Sequence, residues 1–402
     1  MTTHQPTDPR PSGAKKRTTW WAAGAVILIV VAIFVAPGII RNLKAPAISE
    51  SFGIEDAVVA LRLDARDTSY LVLVNEEGDT RSAKLDERGF ENSGIAWSDA
   101  GLSTGGPHDE YLLHDDGLVT MPLTLSNDSL SERTRLVTDD SFLVATGSAE
   151  GSELGFIDAA SGEMTTVDPG QGSFELAACD GEPVMVTESG VETVTADTTD
   201  FSAALGLFDD VVTLVCDGDS VYGFGEINDG KRALQKLYVW DRTTGERTER
   251  IIRYPGEQFA WTTATPFVHG ERLYWAADWH LWSIPLPEND PSVPASLPIE
   301  AEEAASLGYE GGLDIVAGTS EGTLAHAGGT VFAVAADEKL VKPARAGESY
   351  DRLESMTIAA IDVETGERRA AIELDGIDFP ERDVSVHAIA VNPAWAEAQA
   401  NG

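Results

Sequence analysis

The chain has 402 residues, of which 67 are acidic and 28 are basic, giving a formal net charge of −39 at pH 7. Residues 1–44 contain six basic residues and one acidic residue, so the rest of the chain contains 22 basic and 66 acidic residues, a net charge of −44. Such a charge repels polyanions and excludes nucleic acid as a partner. Hydrophobic residues make up 43% of the chain, which excludes a chain that is disordered throughout.

The N-terminus predicts a single membrane anchor. Residues 20–40 form an uncharged run of 21 residues that begins with two tryptophans, which is long enough to cross a bilayer as a helix. Lys15, Lys16 and Arg17 precede it, so we expect residues 1–19 to be disordered and cytoplasmic, and everything after residue 40 to lie outside the cell membrane. A cleaved signal peptide is the alternative, but the run is too long for one and no A-x-A site closes it. Residues 41–55 are predicted to be a linker.

Beyond residue 56 the pattern is that of many short β-strands. Short runs of β-branched and aromatic residues alternate with Gly, Asp and Asn, and no long stretch has a period of 3.6 residues. Three turns share the pattern apolar-Asp-x-x-Ser/Thr-Gly-Glu, at Asp158–Glu163, Asp241–Glu246 and Asp362–Glu367. This pattern predicts a hairpin in which the Asp carboxylate caps the turn and the Gly supplies a positive φ.

The strands and turns repeat along the chain. Four segments read strand, polar turn, strand: 176–186, 213–223, 266–276 and 324–334. Turns fall near residues 78, 117, 162, 190, 245, 279 and 366, at a mean spacing of about 48 residues, which is typical of a β-propeller with four strands in each blade. We therefore predict an all-β, seven-bladed propeller over residues 56–392. Six or eight blades, and two stacked β-sandwich domains, are the alternatives.

Three smaller expectations accompany this fold. The apolar segment 384–392 is expected to pair into the first blade and close the ring, which removes the free sheet edges. The segments 227–235 and 337–355 are expected to be long loops. Residues 393–402 are expected to be a flexible tail.

The three Asp-Gly turns resemble the A-x-D-x-x-T-G repeat of the quinoprotein-dehydrogenase-like (PQQ-like) propellers, a superfamily of enzymes and non-enzymatic scaffolds. The tryptophan that follows the glycine in the enzymes is absent from all three turns, where Glu163, Glu246 and Glu367 stand instead. The resemblance therefore implies the propeller fold and a non-enzymatic member without a quinone cofactor.

The two cysteines occupy matched positions in consecutive repeats. Cys179 and Cys216 each precede Asp-Gly, and both are expected near the inner ends of neighbouring blades. They are either a disulfide, which requires Cα atoms within about 7 Å, or two buried free thiols.

Aromatic and histidine-rich segments are the remaining candidates for a site. Trp275, Trp279, His280 and Trp282 are a candidate ligand surface, with packing between blades as the alternative. His108 and His114 stand in the acidic segment 108–116, but in one strand they would lie about 20 Å apart, so no metal site is predicted. No catalytic triad and no cofactor motif are recognised.

We therefore predict a binding or scaffold module of the cell envelope that carries out no catalysis. Its partner would be an envelope protein or a glycan, and residues 20–40 would hold it in the membrane. The alternative is a propeller enzyme, either a quinone-dependent oxidoreductase or a polysaccharide-acting lyase or hydrolase, with its site at the channel mouth. His269, His326 and His387 would then be the residues to test.

Overall fold

The computed structural model describes residues 47–65, 68–85, 94–106, 108–123, 131–148, 151–169, 174–198, 200–205, 211–228, 233–255, 266–277, 280–287, 292–294, 297–307, 324–341, 350–374 and 385–400. The predicted cytoplasmic segment 1–19 and membrane helix 20–40 lie outside the described residues. Within the described ranges, no helix has both the length and the apolar composition that a membrane crossing requires.

Seven sheets follow one another along the chain, and each is numbered here as one blade, with its strands given from the inner edge outwards. Blade one contains β28 (Ser385–Val391), β1 (Val59–Ala65), β2 (Thr68–Val74) and β3 (Thr80–Leu85). Blade two contains β4 (Ile95–Ser98), β5 (Gly101–Gly105), β6 (Asp109–His114) and β7 (Gly117–Pro122). Blade three contains β8 (Ser131–Val137), β9 (Ser141–Ser148), β10 (Gly151–Asp158) and β11 (Met164–Val167).

The other four blades vary more in their outer strands. Blade four contains β12 (Leu176–Cys179), β13 (Glu182–Thr187) and β14 (Gly190–Thr193). Blade five contains β15 (Val211–Asp217), β16 (Ser220–Asn228), β17 (Ala233–Asp241), β18 (Arg247–Arg253) and the short parallel strand β22 (Ile299–Glu300). Blade six contains β19 (Phe267–His269), β20 (Arg272–Ala277), β21 (His280–Pro285) and β23 (Glu302–Ser306). Blade seven contains β24 (Leu324–Ala327), β25 (Thr330–Val341), β26 (Tyr350–Asp362) and β27 (Arg368–Leu374).

The first strands of the blades form a closed ring around one axis. Each inner strand contacts the inner strand of the next blade from β28 to β19, and β24 contacts β28. Between blades six and seven, Phe267 stacks on His326 with ring centroids 4.4 Å apart. The predicted seven-bladed propeller is therefore confirmed.

The last strand of the chain completes the first blade, as predicted. Strand β28 is antiparallel to β1, with Val391 opposite Val59 and Ser385 opposite Asp64. Blade one thus combines both ends of the propeller sequence in a single sheet, and β1 has no free edge.

The apolar core lies between neighbouring blades. Between blades five and six, Phe224 packs on Trp275 with ring centroids 5.1 Å apart, and Tyr254 meets Trp282 edge-on at 5.0 Å. Large rings fill this wedge because the distance between two blades increases outwards from the axis.

The three Asp-Gly turns have the predicted geometry. In the turn of blade seven, Asp362 Oδ1 accepts hydrogen bonds from the backbone nitrogens of Glu364 (3.0 Å) and Thr365 (2.7 Å), and Gly366 has φ +71°. Asp158 and Asp241 cap their turns in the same way. These hydrogen bonds to the charged form lower the pKa of all three aspartates.

The glycines of these three turns and Gly78 also dock blades seven, five, three and one onto the preceding blade of the ring. A Cβ on Gly366 would lie 2.8 Å from the backbone oxygen of Ala304 in blade six, and one on Gly245 would lie 2.8 Å from that of Ser189 in blade four. A Cβ on Gly162 would meet Val119 of blade two, and one on Gly78 would meet the backbone oxygen of Glu373 in blade seven. Glycine is required here both by the backbone angle and by the close approach of the next blade.

Replacing Gly366 with alanine is expected to destabilise the protein by about 2–3 kcal/mol, because the left-handed conformation costs about 1 kcal/mol and the new Cβ also pushes blades six and seven apart. Gly218→Ala is the matched control, since Gly218 has φ +53° but no atom within 4 Å of its added Cβ. Urea unfolding of both variants measures the difference. Equal losses would show that the turn does not dock the blades.

Two of the predicted turns join different strands from the other five. The turns near residues 190 and 279 connect the second and third strands of blades four and six, whereas the other five connect the third and fourth strands. The mean spacing of about 48 residues includes both kinds of turn, because a Gly- or Asp-containing turn has the same sequence pattern at either end of a blade. The predicted loops are also shorter than expected, since β16 reaches Asn228 and β25 and β26 extend to Val341 and Tyr350.

The described part of the predicted linker, residues 47–55, is packed against the propeller. The backbone nitrogen of Ile48 donates to the oxygen of Lys84 (2.9 Å), and that of Ile54 donates to the oxygen of His114 (2.8 Å). The guanidinium of Arg81 lies over the ring of Phe52, with its central carbon 5.8 Å from the ring centroid. This segment therefore bridges blades one and two.

The predicted flexible tail contains a helix, α1 (Pro393–Ala400). Asn392 caps it by accepting hydrogen bonds from the backbone nitrogens of Ala394 (3.0 Å) and Trp395 (3.2 Å). Trp395 is buried against Phe332, with ring centroids 5.3 Å apart. The expectation of a flexible tail followed from its alanine content and did not weigh this N-cap and its single large apolar residue.

Cys179 and Cys216 form a disulfide, with Cα atoms 5.1 Å apart. Because Cys179 and Cys216 lie at or next to the ends of the inner strands β12 and β15, the bond joins blades four and five close to the axis.

Replacing both cysteines with alanine is expected to lower the free energy of unfolding by about 3 kcal/mol, because the bond closes a loop in the unfolded chain. Denaturant titration of oxidised wild type, reduced wild type and the double variant measures this. Reduced wild type should have the same free energy of unfolding as the double variant, and a reductant should not change the stability of the double variant. A wild type equally stable in both redox states would contradict the prediction.

Candidate functional site

A polar cleft with a volume of about 530 Å³ opens between blades six and seven. Blade six contributes the turn between β19 and β20 together with parts of β21 and β23, and blade seven contributes the Asp-Gly turn between β26 and β27. The cleft therefore lies on the face that carries these two turns.

The wall on blade six is organised by Arg272. Its Nε and Nη2 donate to Ser283 Oγ at 3.2 and 3.0 Å, and Nη2 also donates to Glu302 Oε2 at 2.5 Å. Ser283 is buried and donates no hydrogen bond to any described residue. Its hydroxyl proton is thus available to a ligand, and the guanidinium holds its oxygen in place.

Tyr274 forms part of the floor of the cleft. The residue is only 3% exposed, and its ring stacks on Phe267 with centroids 5.3 Å apart and planes 11° apart. Its hydroxyl makes no hydrogen bond to the described part of the chain. Burial raises the pKa of Tyr274, so the hydroxyl keeps its proton and can donate.

The rim of the cleft is acidic. Glu271, Glu302, Glu303 and Glu364 all line it, against the single guanidinium of Arg272. His269 Nε2 lies 3.6 Å from Glu364 Oε1 across the two blades. The cleft thus offers hydroxyl donors at its floor and carboxylates at its rim, which suits a ligand that combines a hydrogen-bond acceptor with a cationic group.

Two residues of the predicted aromatic ligand surface are buried. Trp275 and Trp282 are buried in the wedge between blades five and six, and their indole nitrogens donate to Tyr254 Oη (3.0 Å) and to the oxygen of Ala277 (3.1 Å). His280 lies partly exposed and 2.9 Å from Glu303. Trp279 lies outside the described residues. The alternative, packing between blades, is thus correct for Trp275 and Trp282, because a flat, rigid ring fills an interblade wedge well.

The three histidines named for an enzyme are in different places. His269 lines the cleft, His326 stacks on Phe267 at the inner end of blade seven, and His387 lies in β28. Tyr274, Phe267 and His326 form a continuous stack of rings from the cleft towards the axis.

A second polar cluster is buried between blades two and three. Arg135 donates Nη2 to both carboxylate oxygens of Glu110 (3.1 and 2.9 Å) and to Glu132 Oε2 (2.7 Å), and its Nε donates to Glu132 Oε1 (2.9 Å). Arg135 Nη1 donates to Ser103 Oγ. Arg62 of blade one reaches the same region through Thr104 and the oxygen of Gly105.

Burial determines the charge state of this cluster. Burial raises the pKa of Glu110 to about 7 against the attraction of Arg135, and the neighbouring Glu132 adds to the rise. Burial also opposes the charge of Arg135, but Glu110 and Glu132 outweigh it and hold the Arg135 pKa above its ordinary value. Arg135, Glu110 and Glu132 bind one another across blades two and three, so this cluster, here called the clasp, has a structural role. The cleft differs because the hydroxyls of Tyr274 and Ser283 donate no hydrogen bond to a described residue.

Glu110 should make stability depend on pH. Its pKa is raised on folding, so its contribution is fully present below about pH 4.5 and is lost as the pH rises through about 7. Glu110→Gln should therefore flatten the fall in unfolding free energy over this range. Denaturant midpoints measured across it provide the test, with Glu163→Gln as an exposed control. A slope unchanged in Glu110→Gln would contradict the assignment.

The histidines of the segment 108–116 do not meet. His108 and His114 flank opposite ends of β6, and Glu110 between them faces Arg135. The described residues contain no group of three or more His, Cys, Asp or Glu side chains placed to hold a metal ion.

Sequence reasoning missed Arg272, Ser283 and Glu302 as one unit, and it did not include Tyr274 in the candidate ligand surface. The one available signal was the turn Asp362–Glu367, whose additional Glu364 distinguishes it from the other two turns. That turn projects directly over the cleft.

No protein-family model and no curated protein matches the sequence. Solved structures with similar folds include a hypothetical selenium-binding protein from Sulfolobus tokodaii, at 11% identity over 84% of this chain and 93% of that chain, with a TM-score of 0.45. The WD40 domain of Toxoplasma gondii coronin matches at 11% identity over 81% and 90%, with a TM-score of 0.40. The tricorn protease matches at 10% identity over 76% of this chain, with a TM-score of 0.38, and this chain spans only 34% of its length. These likenesses transfer no function to this chain.

Proposed function

We propose that this protein is a membrane-anchored, extracytoplasmic β-propeller that acts as a binding or scaffold module in the cell envelope and carries out no catalysis. Residues 20–40 would form the anchor, with residues 1–19 in the cytoplasm, because basic residues flank the apolar run mainly on its N-terminal side. We also propose that it is a non-enzymatic relative of the PQQ-like propellers, on the strength of the three Asp-Gly turns.

One observation supports binding most directly: the cleft between blades six and seven contains polar groups that the protein itself leaves unused. The hydroxyls of Tyr274 and Ser283 have no acceptor among the described residues, although both side chains are buried. A bound partner that accepts from these hydroxyls gains about 0.5–1.5 kcal/mol for each hydrogen bond.

The charge of the chain favours a partner of opposite sign. A net charge of −44 beyond residue 44 attracts cationic surfaces and accelerates their association. An envelope protein with a basic segment is therefore the partner we propose, ahead of a neutral glycan.

Photo-crosslinking of the full chain in its native membrane tests this function. A photoreactive residue in place of Thr365, at the edge of the cleft, is expected to give a discrete crosslinked product, whereas one in place of the exposed Thr166 of blade three should not. Protease added outside the cells should digest the propeller. A propeller reached only after lysis, or identical crosslinks from both positions, would contradict the proposal.

A further inference from the structure

The cleft between blades six and seven has a specific arrangement of donors and charges. Its groups become more exposed, and more acidic, from floor to rim. Ser283 and Tyr274 are 2% and 3% exposed, whereas the side chains of Glu302 and Glu364 are 66% and 74% exposed. Neutral hydroxyl donors therefore lie deep in the cleft and carboxylates lie at its opening.

The donors at the floor require a neutral acceptor. Arg272 is already paired with Glu302, so an incoming carboxylate would have to share the guanidinium with Glu302 beneath an acidic rim. A peptide carbonyl carries no such penalty and can accept from the hydroxyls of Tyr274 and Ser283, which are opposite each other on neighbouring strands.

The rim requires a cation. Among the rim carboxylates, Glu302 is bound to Arg272 and Glu303 lies 2.9 Å from His280. The Glu271 side chain makes no ion pair with a described residue, and Glu364 has only His269, at 3.6 Å, among the described residues. A lysine or arginine side chain would neutralise this excess negative charge at the rim, where the pair would remain exposed to water.

We infer that the cleft is the seat of a basic peptide segment, whose main-chain carbonyl accepts hydrogen bonds from Tyr274 and Ser283 and whose cationic side chain pairs with Glu364. This inference rests on the proposed function and specifies the site and chemistry of its partner. A volume of about 530 Å³ lies within the range of sites that enclose small ligands, so it accommodates a few residues and not a folded domain.

Binding of a synthetic peptide to the purified full chain in detergent tests the inference. The probe is a capped, fluorescein-labelled pentapeptide in which one lysine and one arginine are separated by glycines, and its control has glutamine in place of both. Anisotropy titration is expected to show saturable binding of the basic peptide alone, weakening as salt rises. Equal binding of the glutamine peptide would overturn the inference.

Three variants locate the site. Tyr274→Phe removes only a hydroxyl beneath an intact ring stack and is expected to weaken binding about threefold to tenfold. Glu364→Gln should weaken it about twofold to fivefold and reduce its salt dependence. Glu367→Gln, an exposed carboxylate in the same turn that does not line the cleft, should bind like wild type. Unchanged binding in both cleft variants, with melting temperatures preserved, would overturn the inference.

Failure of this inference is distinct from failure of the proposed function. A crosslinked partner at position 365 without peptide binding would overturn the basic-segment assignment and leave the binding module in place. Binding of a glucosamine tetrasaccharide but not of the peptide would overturn it in favour of a cationic glycan. Peptide binding together with a cytoplasmic propeller would support the cleft and contradict the cellular location.

Discussion

Replacing Arg135 with methionine is expected to destabilise the protein by about 3–5 kcal/mol. Arg135 is buried and binds both Glu110 and Glu132, so its removal leaves two carboxylates without their cation between blades two and three. One of the two must then take up a proton or draw water into the interface. Guanidinium denaturation at neutral pH measures the loss.

The double variant Arg135→Met/Glu110→Gln is the control that separates charge from packing. Glu132 would then be the one carboxylate remaining of the pair that Arg135 binds, and it still accepts from the backbone nitrogen of Gly94 (2.9 Å). We expect this variant to recover at least half of the lost stability, because replacing a buried ion pair costs less than breaking it. A single variant that loses less than about 1 kcal/mol would contradict the role of the clasp.

Removing residues 385–402 is expected to prevent the protein from folding to a stable propeller. The deletion exposes the edge of β1 and removes the buried side chains of Val386, Ile389 and Val391 from the ring. Burial of an aliphatic side chain contributes about 1.5–3 kcal/mol, so the loss is comparable with the whole stability of a domain, about 5–15 kcal/mol.

Ending the chain after Asn392 provides the matched comparison. This shorter deletion retains β28 and removes only α1 with its buried Trp395, so a cooperative transition at a lower melting temperature is expected. Circular dichroism and thermal unfolding distinguish the two deletions. Cooperative unfolding of the longer deletion would show that β28 is not needed to close the ring.

The parts of the fold that were predicted correctly depend on local patterns. The Asp-x-x-Ser/Thr-Gly turn specifies its own hydrogen bonds through Asp158, Asp241 and Asp362, so three copies are enough to indicate a repeat. The closing strand was recognisable because an apolar segment after the seventh turn requires a sheet edge, and β1 provides the free one.

The features that escaped prediction arise from contacts across blades. Arg135 and Glu110 are 25 residues apart in separate sheets, and nothing in either local sequence indicates that they meet. The cleft likewise combines Tyr274 and Glu364 from two blades. Trp275 and Trp282 were mispredicted as part of a ligand surface because an exposed binding surface and an interblade core can have the same aromatic composition. Only the burial of the side chains distinguishes the two.

The docking of Gly162, Gly245 and Gly366 onto the preceding blade gives the ring a direction of assembly. Blades three, five and seven each contact a blade that emerges earlier from the ribosome, through Gly162, Gly245 and Gly366, so each can settle onto an existing neighbour during synthesis. Blade one is the exception, because Gly78 contacts Glu373 and its inner strand is β28. The first of the seven blades to begin is thus the last to be completed, and until β28 has been synthesised the nascent chain presents an open strand edge that chaperones would have to protect.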